Sequence, residues 1–439
     1  MKRALVILLV VIMVCGMVAS YLVYFRPSSQ SGDQDPFEDV PMPSIKSYRF
    51  ADFSKQDISG LDLSKVSLDE AMTFTFDTDT KWPPPDKMPS GFSPEETMEK
   101  GKYLGLGLQV LHAQGVTGEG ISVAVIDTPL LKDHESLPAD MEYVEMKPGD
   151  PSMQETSFHG ALVAGILAGK DGVAPGAHLY YFAVPDDAEP YARLAEAMNR
   201  LLEVNSRLPD GRKIRVVAVP YGADPLDQVT GVAGAQDWAN AIRAAQDAGI
   251  IVVYPGMADL NYTGAGAVPG SDRDRPENYR TWTWVTAKAA VIESLKKAGV
   301  TSWDTARKEL IRLLTEDPDL DSLRSEAIDT YIYLMASYKT TMSFDEWIKV
   351  AAEDLSGALA FPVDYLTVPN AQGEDSYTYY ASGGLSFATP YVAGLLALGL
   401  QVKADAAPQE LLKTMVDTGT PFETGGKLVC PVAFVEALR

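Results

Sequence analysis

Cysteine is nearly missing from this chain: its 439 residues hold two. Cys15 lies in an apolar N-terminal run and Cys430 near the C-terminus. No disulfide framework is expected from such a pair, and neither a thiol nucleophile nor a zinc cluster. Positive charge is short as well. Lys and Arg number 37 against 60 Asp and Glu, a formal net charge of -23. That deficit argues against nucleic acid as a partner, because phosphate backbones are held by cationic side chains that release counterions. It is compatible with simple solubility, with a soluble ectodomain or with cation binding. Histidine is scarce too, at four. What the chain does have is ordinary hydrophobic content, 46%, so disorder throughout is excluded.

The N-terminus reads Met1-Lys2-Arg3 and then stays apolar from Ala4 to Phe25, ahead of Arg26 and Pro27. That run is long enough to cross a bilayer as a helix. Lys2 and Arg3 on the cytoplasmic side place the remainder outside. The alternative is a signal peptide cut after Ser20, with secretion of the rest; the apolar run continuing past Ser20 favours an uncleaved anchor. Val14 before Cys15 does not suit a lipoprotein.

Residues 27 to about 50 are rich in Ser, Asp, Pro and Gln, and 27–100 as a whole is expected as linker and N-terminal extension. Inside it Asp52-Phe53-Ser54, Asp57-Ile58-Ser59 and Asp62-Leu63-Ser64 recur every five residues. Three units predict a short, turn-rich capping segment and no core of their own. Three prolines after Lys81-Trp82 break any regular element there.

From about residue 101 to 439 the pattern is that of one αβ domain. Ile121–Ile126, Ile214–Val219 and Ile250–Tyr254 are apolar, β-branched runs of buried parallel strands. Residues 160–169, 190–204 and 235–248 read as helices. The alternation predicts an α/β fold of three layers, αβα, around a mostly parallel sheet. About 285–356 is different: Leu310, Leu313 and Leu314 form an apolar helical stripe, and Ser343 with Glu346 a capping box. An α-helical insertion is expected there, as scaffold or as a lid or partner surface.

Chemistry concentrates in three segments. Asp127 ends the first strand, at the carboxyl edge where open α/β sheets bind ligands. His159 stands at the start of a helix rich in small residues, where the helix dipole disfavours a charged imidazole and leaves a base. Ser386 follows Gly383-Gly384-Leu385 at another helix start, so backbone N–H groups lie beside its hydroxyl. A hydroxyl needs a base to become a nucleophile, and the base needs a group that fixes its tautomer.

Those segments carry a resemblance. GEGISVAVIDTP, HGALVAG and GGLSFATPYVAG, in the order Asp, His, Ser, resemble the motifs of the subtilases, the subtilisin-like serine proteases, over roughly residues 105–270 and 358–400. The resemblance implies a subtilisin-like fold and peptide-bond hydrolysis through an acyl-enzyme. Asp127 orients, His159 acts as base and acid, and Ser386 is the nucleophile. Pro220, Tyr221 and Gly222 are similar to the segment that pairs with an extended polypeptide substrate. No cofactor is implied; calcium is expected at most as a structural ion. The family also implies an inhibitory prodomain, which the proline-broken 28–100 does not resemble.

The chain departs from the family pattern at named positions. Met257 follows Pro255-Gly256 where an Asn amide is usual, and a thioether cannot donate to an oxyanion; Asn261 lies near in sequence. Pro129, Leu162 and Leu385 replace Gly, His and Thr. A slower protease is the expectation, and the open alternatives are a subtilase-like binding or regulatory protein and a surface protein working through its helical insertion. A sedolisin-like Glu155 centre is disfavoured by the His-Gly motif. His112, His134 and His178 are expected to be structural or exposed.

Overall fold

The β-branched runs become the centre of the molecule. In the computed structural model the described residues are 48–185, 190–221, 233–316, 343–345, 348–349, 357–423 and 425–439. The expected membrane segment, residues 1–26, therefore lies outside them, as does much of the expected insertion.

In chain order the first elements are α1 (Leu68–Ala71), β1 (Phe76–Asp77), α2 (Pro94–Gly101), α3 (Leu108–Ala113), β2 (Ser122–Asp127) and β3 (Glu142–Glu145). Then come α4 (Phe158–Ala168), β4 (His178–Ala183), α5 (Pro190–Arg207), β5 (Ile214–Ala218), α6 (Ala235–Asp247) and β6 (Ile251–Val253). β7 (Tyr262–Ala267), β8 (Tyr279–Thr281), α7 (Thr283–Lys297) and α8 (Trp303–Glu316) follow. The last are β9 (Leu359–Asp364), β10 (Leu366–Pro369), β11 (Tyr377–Tyr380), α9 (Leu385–Val402), α10 (Pro408–Asp417), β12 (Thr420–Pro421), β13 (Lys427–Leu428) and α11 (Pro431–Leu438).

The first sheet, ordered β3-β4-β2-β5-β6, is parallel throughout. Its layers follow from the period of two along a strand. Val123 and Val125 of β2 join the core with α4 and α9 on one face. Ala124 and Ile126 join the core with α5 and α6 on the other. Burial of each such Val or Ile contributes about 1.5–3 kcal/mol. The helices of the αβα expectation lie close to where periodicity put them, with ends moved by at most three residues.

The described residues hold two further sheets beside this parallel one. A second five-stranded sheet, β12-β13-β9-β7-β8, is mixed, with β7–β9 and β13–β9 parallel and its outer pairs antiparallel. A third, β1-β11-β10, is antiparallel. The described part of the expected insertion holds α7 and α8, beginning at Thr283.

From Tyr48 onward the stretch expected as linker and N-terminal extension is packed structure. Each repeat Asp folds its own turn: Asp52 accepts from the Ser54 N–H, Asp57 from Ser59 and Asp62 from Ser64. The middle residues Phe53, Ile58 and Leu63 donate their N–H groups to the Thr75, Lys81 and Lys87 carbonyls and turn their side chains inward. There they form a core with Phe74, Phe76, Phe92 and Tyr379. The repeat buries a core after all, because a second chain segment and β11 complete it.

α9 is long and apolar enough to cross a membrane, but 78% of its span is buried, as a central helix requires. 

Candidate active site

Asp127 closes β2 and is 4% exposed at its side chain; His159 is the second residue of α4 and 13% exposed. The His159 Nδ1 lies 2.9 Å from Asp127 Oδ2 and 3.0 Å from Oδ1. A carboxylate only accepts, so Nδ1 carries a proton and donates it to Asp127. The Thr128 N–H and hydroxyl also donate to Oδ1, at 2.6 and 3.0 Å, and hold the carboxylate in place.

Local sequence explains how the two meet. Ser157 caps α4 by accepting from the His159 N–H at 3.1 Å, and its own N–H donates to the Pro129 carbonyl at 2.6 Å. Pro129 thus joins the strand end to the helix start. The His-Gly pairing has a steric reason as well. A Cβ on Gly160 would stand 2.1 Å from the Tyr181 hydroxyl and 2.5 Å from the Thr128 carbonyl. Leu162 is core, 1% exposed.

Ser386 lies in the first turn of α9, partly buried, with Gly384 as the N-cap. Among the described residues its hydroxyl has no hydrogen-bond partner, so it is not consumed in capping. Pro390 has no N–H to give the Ser386 carbonyl four residues back. α9 and α4 belong to one core. A ladder of rings spans their starts: Phe158 lies 6.2 Å from Tyr380, and Tyr380 5.6 Å from Phe387. These are the neighbours of His159 and Ser386.

The loop before Ser386 is held from outside. The Gly383 N–H donates to Asp364 Oδ1 at 3.0 Å, and the Trp282 Nε1–H donates to the Gly383 carbonyl at 3.0 Å. Asp364 Oδ2 accepts from the Thr283 N–H at 3.1 Å and its hydroxyl at 2.6 Å. Two positions earlier, the Ala381 N–H donates to Thr75 Oγ1 at 3.1 Å. Burial pushes the Asp364 carboxyl up to about 6, against the pull of its hydrogen bonds. Sequence reading missed Asp364, Trp282 and Thr75. The one signal was a carboxylate ending the apolar run Leu359–Val363.

Pro220 and Tyr221 follow β5 beyond its last strand residue, at the same carboxyl edge as Asp127. The Tyr221 ring packs edge-on to Tyr191 of α5 at 6.1 Å, toward the α5–α6 layer. Gly222 lies outside the described residues. Met257 is buried in the main core and Asn261 is exposed, its carbonyl accepting from the Leu359 N–H. Glu155 is exposed. The other histidines are engaged. His112 pairs with the Val173 carbonyl, His134 with Ser376 and Ser136, and His178 with Arg212 and Asp140. Among the described residues no group of three or more Asp, Glu, His or Cys is placed to hold a metal ion.

The arrangement is an imidazole held by a buried carboxylate, with a helix start carrying an uncommitted hydroxyl in the same core. The family model described as Subtilase family matches residues 118–428, more than half of the chain. The subtilisin-like protease PopC of Myxococcus xanthus (strain DK1622) is 31% identical over 154 residues, 32% of this chain and 32% of that protein. Subtilisin BL of Lederbergia lenta is 40% identical over 76 residues, 16% of this chain and 27% of that protein. The chain thus matches about a third or less of the length of these relatives. Among solved structures, the prenylagaramide maturation protease PagA overlaps 76% of this chain and 98% of its own, at 16% identity and a TM-score of 0.42. MycP1 without its N-terminal propeptide overlaps 75% and 96%, at 17% identity and a TM-score of 0.41. Overlaps that loose carry no argument.

Proposed function

Because this chain belongs to the subtilase family, we propose that it is a serine endopeptidase that hydrolyses peptide bonds through an acyl-enzyme. In this reading Ser386 attacks the scissile carbonyl. His159 Nε2 takes the Ser386 proton and gives it to the leaving amine, while Asp127 holds the imidazole and stabilises its charged form. Water then attacks the acyl-enzyme with His159 again as base. The observation that carries the reading is the Nδ1 contact of His159 to both Asp127 oxygens, which leaves Nε2 as the acceptor.

The developing oxyanion needs donors. The Ser386 N–H, in the unpaired first turn of α9, suits one of them. Met257 is turned into the core and offers none. The loss of one such donor costs about 10² to 10³ in rate, a figure whose source is subtilisin itself. A slow protease is therefore the reading, and Pro220, Tyr221 and Gly222 are its proposed contacts to an extended polypeptide. The N-terminal run, Ala4–Phe25, is proposed as an uncleaved anchor with the catalytic domain outside the cytoplasm.

Fluorophosphonate labelling of the full chain at neutral to mildly basic pH tests the chemistry. Labelling of wild type that vanishes in Ser386→Ala and in His159→Ala is the expected result. A folded wild type that takes no label would sink it and leave a subtilase-like binding protein as the reading.

A further inference from the structure

Gly383 is the most tightly held residue of the nucleophile loop. Its N–H goes to Asp364 Oδ1 and its carbonyl to the Trp282 indole. Its α-carbon is pressed against the Val363 carbonyl, which would lie 2.1 Å from any Cβ. Three residues on stands Ser386, with only Gly384 and Leu385 between. We propose that Asp364, together with Trp282, is the positioning element for the Ser386 hydroxyl, and that its hold is firmest while the Asp364 carboxylate is charged. The proposal rests on the reading of Ser386 as the nucleophile.

The hydrogen-bond count explains the dependence on charge. All three groups on Asp364 are donors: Gly383 N–H on Oδ1, and the Thr283 N–H and hydroxyl on Oδ2. A carboxylate accepts all three. A protonated acid must donate from one oxygen, and none of these partners accepts except the Thr283 hydroxyl by turning round. The proton therefore goes to Oδ2, where the Thr283 hydroxyl can turn round to accept it. The Gly383 N–H is then left on a neutral carbonyl oxygen, and the charge-assisted bond to the loop before Ser386 is weakened.

The surroundings add no opposing charge. The causes acting on Asp364 are its burial and these hydrogen bonds. β7 presents Gly266, whose Cβ would meet Asp364 Oδ2 at 2.9 Å. α7 presents Thr283 and the loop presents Gly383. β11 presents Tyr379, whose own acidity Asp364 and Arg273 perturb in opposite directions. Arg273 donates to the Tyr365 carbonyl, next along from Asp364, and Lys288 of α7 lies over the Trp284 ring. A buried carboxylate without a facing cation is costly to keep. Its use to hold a backbone N–H three residues from Ser386 gives that cost a function.

The test measures the saturable rate and the apparent affinity of fluorophosphonate labelling from pH 5 to 9, on the full chain, with folding checked by circular dichroism. Wild type, Asp364→Asn and Trp282→Phe are compared. The expected result is a maximal labelling rate lowered about 10- to 100-fold in each variant, the scale of a small misplacement of a reacting group. Apparent affinity should stay within about twofold. The wild-type rate should fall as pH drops through about 6, where Asp364 takes up its proton, and Asp364→Asn should fall less steeply across that window. A folded Asp364→Asn that labels at the wild-type rate with an unchanged profile overturns the proposal while Ser386 stands. Should that variant fail to fold, Trp282→Phe decides in the same way. A wild type that never labels at Ser386 removes the nucleophile reading, and this proposal with it.

Discussion

The two halves of the site are built in different ways. Asp127 and His159 are 32 residues apart and touch directly, and their supports, Thr128, Pro129 and Ser157, are their own chain neighbours. The loop before Ser386 is held by residues far away in sequence. Asp364 reaches Gly383 across 19 positions, Trp282 across 101, and Thr75 reaches Ala381 across 306. The first half is a strand end meeting a helix start, a local accident of one βα unit made permanent by packing. The second is a loop suspended from the second and third sheets.

The comparison can be broken most sharply at the chemical groups. Ser386→Ala and His159→Ala should each remove labelling, by about 10⁶ in rate, the scale such removals reach in subtilisin. Equal losses in two variants with unchanged circular dichroism mean that the halves act as a unit. A smaller loss belongs to Asp127→Asn, about 10⁴, because the amide favours the wrong imidazole tautomer. The pH dependence of the labelling rate would check it.

Stability probes then separate the halves. Phe76→Ala empties the core behind β11, in which Phe76 lies 5.2 Å from Tyr379 ring to ring. Urea unfolding should register a loss of about 3–5 kcal/mol. Labelling should weaken although no residue of the Asp127–His159 half was touched. Asp364 gives a smaller effect with a definite sign. Its carboxyl is raised in the folded chain to about 6 from an ordinary 3.8, so the folded state holds the proton more tightly. Its contribution to stability is complete below about pH 4 and is lost as pH rises through about 6, at most about 3 kcal/mol. Thermal unfolding of wild type against Asp364→Asn across that window should show the decline in wild type alone. The smallest effect is expected at Met257→Asn. Met257 points into the core, so the new amide should lower stability by about 1–3 kcal/mol and leave the labelling rate no faster.

Much of the first half was legible because its cues are short in range. β2 announced itself as a buried β-branched run and α4 as a small-residue helix, whereas the reason for Gly160, no room for a Cβ beside Tyr181 and Thr128, came only with the structure. The second half was legible only at Ser386 and its glycines. Nothing near Trp282 says that its indole will meet Gly383, and nothing near Thr75 that it will support Ala381. The N-terminal repeat illustrates the same limit. Asp52, Asp57 and Asp62 predict turns, which form, but Phe53, Ile58 and Leu63 become a core only once Phe74, Phe76, Phe92 and Tyr379 close over them.

By itself, then, the sequence determined the αβ alternation, the parallel first sheet and the three segments carrying Asp127, His159 and Ser386. Local propensity and side-chain period act over a few residues and are written in the chain where they act. Only the tertiary structure decided the mixed second sheet, the pairing of β1 with β11 and the grip of Asp364 and Trp282 on the nucleophile loop. Those depend on which distant backbone groups come to lie opposite each other, and a buried donor or acceptor takes whatever partner the packing brings within reach.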